Sequence, residues 1–385
     1  MRVALITENF LPKLDGVTRT LARLLEHLQL TGHQALLLGP DSGMERYAGA
    51  EVLGTAGIPL PFYPELRVNF FRPLFVRRLY EFRPDIIHVV DPVILGATGL
   101  AAARLLGTPI VSSYHTNLAA YCTHFGFPLL TRPMWFYNRF IHNQCELTFC
   151  PSASTATMLR QQGFTHIRIW PRGVDTALFT PQRRSAELRA RWLQDKRDKC
   201  LLLYVGRLSY EKNLRLLVEA YKGMSHERCH LVLVGDGPAA AELRQELATV
   251  PVTFTGYLQG EELATAYASA DLFAFPSTTE TFGQAALEAL ASGLPVVGLQ
   301  AEGICDLVTD GSNGLLLELQ GKQPEEQIRL YRAALERLIE QEPFRLQLGE
   351  NARRAASRYS WFEAMECLLQ GYRDVMQRTA PLVAA

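Results

Sequence analysis

The 385-residue chain carries 39 basic and 39 acidic residues and is 48% apolar, which provides for two cores and leaves no bulk charge for binding nucleic acid. Its seven cysteines (Cys122, Cys145, Cys150, Cys200, Cys229, Cys305 and Cys367) are odd in number and include no C-x-x-C. That argues against a disulfide framework or a zinc site and for buried thiols in a reducing cytosol. No apolar run reaches the ~18 residues of a membrane span, and the opening run is broken at Thr7, Glu8 and Asn9, too early for a secretory leader.

"RVALIT" (2–7) is a continuous apolar run of the kind buried on both faces of a parallel sheet. Val17, Leu21, Leu24, Leu25 and Leu28 follow at helical spacing and Gly32 ends the helix, before a second strand "QALLLGP". The alternation continues through "DIIHVV" (85–90), the helix "GATGLAAARLLG", "PIVSSYH" (109–115), "LTFCPS" (147–152), a helix to Gly163, and "HIRIWPRGVD" (166–175). The charged stretch 181–199 is expected to be a linker with a solvated helix. The pattern then restarts with strands "CLLLYVGRL", "HLVLVGDGP", "VTFTGYL", "DLFAFPS", "PVVGLQ" and "NGLLLEL", with helices between them. Residues 359–377 form an amphipathic tail with Trp361, Phe362, Met365, Leu368, Leu369 and Tyr372 on one face.

The expected fold class is therefore α/β: two doubly wound domains at 1–180 and 200–358, with a C-terminal helix (359–385) returning to the first. Ligands of such sheets bind beyond the carboxyl ends of the strands, so the polar residues just after each strand are the candidates. "VGRLSYEKN" places Gly206 at a tight exit, then Arg207 and Lys212, a guanidinium fork and an ammonium suited to a diphosphate. Gly235 in "VGDGP" opens a turn that can present N–H groups to phosphate. Asp15 and Gly16 start the first helix, either as a plain N-cap or as a close approach for a ligand, with no dinucleotide fingerprint. His115 ends an apolar strand in "SSYHTN".

"TETFGQAALEALASGLPVV" holds Glu280 and Glu288, eight positions apart. On a single helix they would be separated by about 12 Å of rise and an offset of about 80°, a poor match to the ~5–9.5 Å of paired glycosidase carboxylates. The better reading puts Glu280 in the loop, has Phe282 and Gly283 open the helix, and leaves Glu288 about one and a half turns in. The two carboxylates then do different work.

The order and spacing of "GRLSYEKN", "VGDGP", "VTFTGYL" and "PSTTETFGQAALEALASGLPVV" resemble retaining glycosyltransferases of the GT-B fold, family 4 type, over essentially the whole chain. The resemblance implies two Rossmann-like domains facing a cleft. It implies that Arg207 and Lys212 hold the diphosphate of a nucleotide-sugar and that Glu280 takes donor-sugar hydroxyls. Phe282, Gly283 and Gln284 would offer backbone N–H groups, Glu288 would take the ribose, and Tyr257 and Leu258 would flank the base. Gly16 would lie by the diphosphate or the acceptor, and His115 by the reacting sugar. "FLPKLDGVTRTL", "HVVDP", "YHTN" and "WPRGVDTALF" are similar to the branch of sulfoquinovosyl-diacylglycerol synthase and lipid mannosyl- or glucosyltransferases. This puts Lys13, Asp15, Tyr114 and Arg172 on the acceptor side. No metal or other cofactor is implied. "FFRPLFVRRLYEF" (70–82) and "FPLLTRPMWFYNRFIH" (127–142) interleave Arg with apolar residues, a composition suited to an anionic membrane surface. The expected protein is a cytoplasmic, membrane-peripheral enzyme. A soluble sugar acceptor, an epimerase, and a non-catalytic nucleotide-sugar sensor stay open as alternatives. A phosphorylase would need a lysine Schiff base, for which the sequence offers no clear candidate.

Overall fold

The structure is a computed structural model that describes residues 1–12, 15–60, 63–70, 72–124, 126–194 and 199–379, with side chains left undescribed at 59–60, 63–68, 121, 123 and 124. The chain divides into two compact units: Met1–Arg172 with the C-terminal segment from Trp361, and Gly173–Ser360.

The first unit begins β1 (Arg2–Thr7), α1 (Gly16–Leu30), β2 (Gln34–Pro40), β3 (Arg46–Tyr47), β4 (Ala50–Thr55), β5 (Gly57–Leu60), β6 (Tyr63–Asn69) and α2 (Pro73–Phe82). It continues with β7 (Ile86–Val90), α3 (Ile94–Leu106), β8 (Ile110–Ser113), α4 (Leu118–His124), α5 (Thr131–His142), β9 (Leu147–Cys150), α6 (Ala153–Gln161) and β10 (Ile167–Ile169). Eight strands form one sheet in the order β10-β9-β8-β7-β1-β2-β4-β3, parallel except for the short edge strand β3, and β5–β6 is a separate antiparallel hairpin. Val3 and Leu5 face one side of the sheet, where α1 packs, and Ala4 and Ile6 face the other, where α2, α3 and α5 pack. This period-2 division of a fully apolar run is what a two-sided parallel strand requires.

The second unit runs α7 (Ala186–Leu193), β11 (Cys200–Val205), α8 (Leu214–Lys222), β12 (Cys229–Val234), α9 (Ala240–Glu246), β13 (Val252–Gly256) and α10 (Gly260–Ser269). It continues β14 (Leu272–Phe275), α11 (Gln284–Ala291), β15 (Val296–Leu299), α12 (Ile304–Leu307), β16 (Gly314–Leu317), α13 (Pro324–Glu340) and α14 (Glu342–Ala356). Its sheet is parallel throughout, in the order β13-β12-β11-β14-β15-β16.

The last helix, α15 (Trp361–Thr379), belongs to the first unit. Met365, Leu368, Leu369, Tyr372 and Val375 are buried in the α1 side of its core, and His27 Nε2 lies 2.8 Å from Glu366. Phe362, expected on the buried face, is exposed, with its ring edge against His27. The expected linker at 181–199 is instead part of the second unit, and the domain boundary falls at 172/173, not 180. The reason is specific. Arg184 and Arg189 reach Asp271 at 2.6 and 2.9 Å and donate to the carbonyls of Ala270 and Ser269, so the charges that look solvated hold α7 against the α10–β14 turn. Residues 195–198 lie outside the described residues. No described helix is long and apolar enough to cross a membrane.

Candidate active site

In the second unit the loops after β11, β12 and β14 meet at the carboxyl edge of the sheet. Gly235 packs on the first of them so closely that a Cβ there would sit 2.0 Å from the Gly206 carbonyl oxygen, and only glycine allows the strand ends this approach. Gly206 and Gly235 are thus brought together, with Gly206 N–H donating to the Val234 carbonyl at 3.1 Å. The loop bearing Arg207 and Lys212 is tied to the loop after β14 at three points. Asn213 Nδ2 donates to the Pro276 carbonyl at 3.2 Å, Thr279 Oγ1 donates to the Glu211 carbonyl at 3.2 Å, and Lys212 Nζ lies 2.6 Å from Glu280 Oε1. Ser277 Oγ donates to the same Glu280 oxygen at 3.0 Å.

Three residues beyond Glu280, Gly283 (φ +93°) heads α11, whose first N–H groups have no partner within the helix. Phe282 is buried against the Tyr359 ring, and Gln284 spends its side-chain amide on the Gly173 carbonyl at 3.0 Å. Glu288 sits inside α11, 5% exposed, and accepts from the Tyr267 hydroxyl at 3.2 Å. Tyr257 is exposed just past β13, with Leu258 half-buried beside it.

The first unit places a second group at its own carboxyl edge. His115 follows β8 and is 8% exposed. Arg172 Nη2 donates to His115 Nδ1 at 2.8 Å, and the ring's Nε2 is 2.8 Å from Ser113 Oγ. Arg172 is itself buried, lies over the Trp170 ring and donates to the Trp170 carbonyl at 2.8 Å; burial lowers its pKa to about 10. Burial, with the Arg172 charge next in importance, pushes the His115 pKa well below the ordinary histidine range, so the ring is neutral. Asp15 is the N-cap of α1, accepting from Thr18 N–H at 2.9 Å in a reciprocal capping box. Gly16 follows, exposed and with nothing within 4 Å of a Cβ position among the described residues.

Lys13 lies outside the described residues. Tyr114, expected on the acceptor side, is 1% exposed, and its ring packs in a core cluster with Cys150, Ala156, Leu159 and Phe164. Neighbouring residues at a strand end point opposite ways, so with His115 directed at Arg172, Tyr114 turns inward.

The residues 14–178 match the family described as Glycosyltransferase Family 4, and 186–355 match Glycosyl transferases group 1. The GDP-mannose-dependent alpha-mannosyltransferase of Mycobacterium tuberculosis (strain CDC 1551 / Oshkosh) is 38% identical over 390 residues, covering 98% of each chain. The chain belongs to the family 4 glycosyltransferases. Sulfoquinovosyl transferase SQD2 of Arabidopsis thaliana is 34% identical, over 94% of this chain and 71% of that one. Alpha-monoglucosyldiacylglycerol synthase of Streptococcus pneumoniae is 29% identical, over 82% and 75%. In fold this glycosyltransferase resembles the sucrose-phosphate synthase of Thermosynechococcus elongatus, with a TM-score of 0.79 at 21% identity over 98% and 99% of the two chains. The fold is GT-B, and the enzyme is a retaining hexosyltransferase using a nucleotide-sugar.

Two residues of this glycosyltransferase carry local geometry that the sequence did not disclose. Gly303 (φ +78°) backs the Glu280 loop, and a Cβ there would meet the Glu280 carbonyl oxygen and the Phe282 nitrogen at 2.6 Å. Asp91 (φ +44°), at the end of β7, accepts from His115 N–H at 2.6 Å, Thr116 N–H at 3.1 Å and Thr116 Oγ1 at 2.7 Å, and so shapes the turn that carries His115. The signals for Asp91 were its position after an apolar strand and its place in the "HVVDP" motif, neither of which named its partners; Gly303 had none.

Proposed function

We propose that this enzyme transfers a hexose, with retention, from a GDP- or UDP-sugar to a hydroxyl of a glycerolipid or glycolipid at a membrane surface. The observation that carries the donor side is the Lys212–Glu280 pair, held by two stitched loops next to the N-terminus of α11. In this reading Arg207 and Lys212 hold the diphosphate, and the first N–H groups of α11 add to the positive field. Glu280 takes donor-sugar hydroxyls, Glu288 the ribose hydroxyls, and Tyr257 and Leu258 flank the base. His115 touches the donor sugar as a neutral ring packed against it, not as an acid or base. Asp15, Gly16 and Arg172 are assigned to the acceptor side.

The bond between the anomeric carbon and the β-phosphate oxygen breaks as the acceptor oxygen bonds to the same face of that carbon. The acceptor's proton passes to a departing phosphate oxygen. Negative charge grows on the phosphate, where Arg207 and Lys212 stabilise it, and this reading calls for no metal.

The lipid acceptor is supported by the relative named for diacylglycerol and by the outer surface of the first unit. Residues 127–140 expose Phe127, Leu129, Leu130, Phe136 and Phe140 beside Arg132 and Arg139. Leu129 is 90% exposed, which opposes a reading of this segment as a core helix with wet arginines. The test is nucleoside diphosphate release from GDP-mannose, UDP-glucose and UDP-sulfoquinovose, with and without phosphatidylglycerol vesicles containing diacylglycerol. Release from one donor that rises with vesicles is expected. Release indifferent to vesicles would move the acceptor to a soluble sugar, and saturable binding without release would mean a sensor.

A further inference from the structure

A buried hydrogen-bonded line runs from Arg172 to the C-terminal helix. Arginine has donors only, so His115 Nδ1 must accept from Arg172, and the ring proton sits on Nε2. Nε2–H then donates to Ser113 Oγ at 2.8 Å. Ser113 Oγ is also 2.8 Å from His88 Nε2, and His88 Nδ1 is 2.5 Å from the Tyr372 hydroxyl on α15. Ser113, His88 and Tyr372 are all at most 1% exposed. The Trp170 ring stands edge-on to both histidines, at 5.6 Å from His115 and 5.9 Å from His88.

We propose that Ser113, His88 and Tyr372 are positioning residues for sugar transfer: Arg172 fixes His115 as the neutral Nε2–H tautomer, and these three hold that ring in one orientation, so the C-terminal helix sets a group that touches the donor. The proposal rests on the reading of His115 as a donor-sugar contact. His88 is 284 residues from Tyr372, so the line gives the return of α15 to this unit a chemical role besides its packing. Protonating His115 would set a second buried cation 2.8 Å from Arg172, and the ring stays neutral. The same burial lowers the His88 pKa to about 3, so the line carries no charge of its own. Loss of the far anchor frees the Ser113 hydroxyl to rotate and lets the His115 ring tilt, and small misplacements of a group on the reacting sugar are costly in rate.

The test combines kinetics with nitrogen NMR of the full-length enzyme carrying ¹⁵N-histidine, the His115 signal being the one lost in His115→Ala. In the wild type the signal should show a bare Nδ1 and a protonated Nε2. Tyr372→Phe keeps the buried ring and removes only the hydroxyl. It should shift the His88 and His115 signals and lower kcat about fivefold, the equivalent of one hydrogen bond, with donor KM unchanged within about twofold. Ser113→Ala should give the same pattern, and carries the test if Tyr372→Phe does not fold. A His115 signal protonated on Nδ1 overturns the proposal. So do Tyr372→Phe and Ser113→Ala enzymes with wild-type kcat, even at lowered Tm, alongside an impaired His115→Ala. Wild-type turnover by His115→Ala would instead remove the donor-contact reading on which the proposal stands, while the shift of the His115 signal in Tyr372→Phe would still report whether the line exists.

Discussion

Lys212 Nζ lies 2.6 Å from Glu280 Oε1, and the two side chains are only 16% and 21% exposed. In that partly desolvated setting their attraction exceeds that of a surface pair. In the proposed reading a nucleoside diphosphate would bring a competing anion to Lys212, and its arrival would free Glu280 to accept from sugar hydroxyls. Glu280→Ala is therefore predicted to lower kcat by on the order of 10²-fold with little change in donor KM. Glu280→Gln, which keeps one acceptor oxygen, should lose less. Because the pair acts as a unit, Lys212→Ala/Glu280→Ala should be little worse than the poorer single variant. Initial rates over a range of donor concentrations check this, and strictly additive losses would show two independent groups.

Glu288 is a different case, because it is buried in α11 and accepts from the Tyr267 hydroxyl at 3.2 Å. Its removal should act on binding. Glu288→Ala is predicted to weaken nucleoside diphosphate affinity by about tenfold or more while kcat at saturating donor stays near wild type. Tyr267→Phe should be a milder version, about two- to fivefold. Titration calorimetry with GDP and UDP reads both. Matching kcat defects at positions 280 and 288 would end the division of labour between the two glutamates.

Gly303 and Gly16 make opposite predictions for the same substitution. A methyl on Gly303 meets backbone atoms of the Glu280 loop at 2.6 Å in a left-handed conformation, and neither fault is relieved without moving that loop. Gly303→Ala should cost about 1–3 kcal/mol and on the order of tenfold in turnover. Gly16→Ala meets nothing within 4 Å among the described residues, so stability should stay within about 0.5 kcal/mol. A fall in activity there would report a ligand passing close to the start of α1. Thermal melts and turnover on both variants separate the two cases.

How far the sequence could be read differs between sheet and site. Strands buried on both faces are apolar runs, so β1, β2, β7–β9, β11, β12 and β14–β16 stood out, while the half-buried edge strands β10 and β13 were read from their place in the alternation. β3 and β4, a two-residue edge strand and its neighbour, and the β5–β6 hairpin offered no such run. The helices α13 and α14 went unassigned behind their charge, although Tyr331, Ala334, Leu335 and Leu338 sit buried at helical spacing. At the candidate site, position after a strand pointed to Arg207, Lys212, Glu280 and His115, and the eight-residue spacing from Glu280 pointed to Glu288 inside α11. Partnership was not legible. That Lys212 reaches Glu280, or that Arg172 sets the tautomer of His115, depends on which strands are neighbours, and spacing along the chain does not carry that.

Asp91 makes the pH behaviour of the first unit testable. Burial raises its carboxyl pKa from 3.8 to about 6, against the lowering effect of the hydrogen bonds from Thr116 and His115. The folded form thus holds this proton more tightly than the unfolded chain does. The stabilisation it contributes is complete below about pH 4 and is lost as pH rises through about 6, on the order of 2–3 kcal/mol in all. Asp91→Asn should remove that slope, so the difference in Tm between variant and wild type should change between pH 4 and 6 and level off above pH 7. The same variant can still accept the His115 and Thr116 N–H groups on its amide oxygen but not the Thr116 hydroxyl on its amide nitrogen. Its turnover at pH 7.5 should fall severalfold, because the His115 turn loses one of three anchors. A Tm difference that stays flat from pH 4 to 8 would mean that Asp91 titrates like an ordinary surface carboxylate.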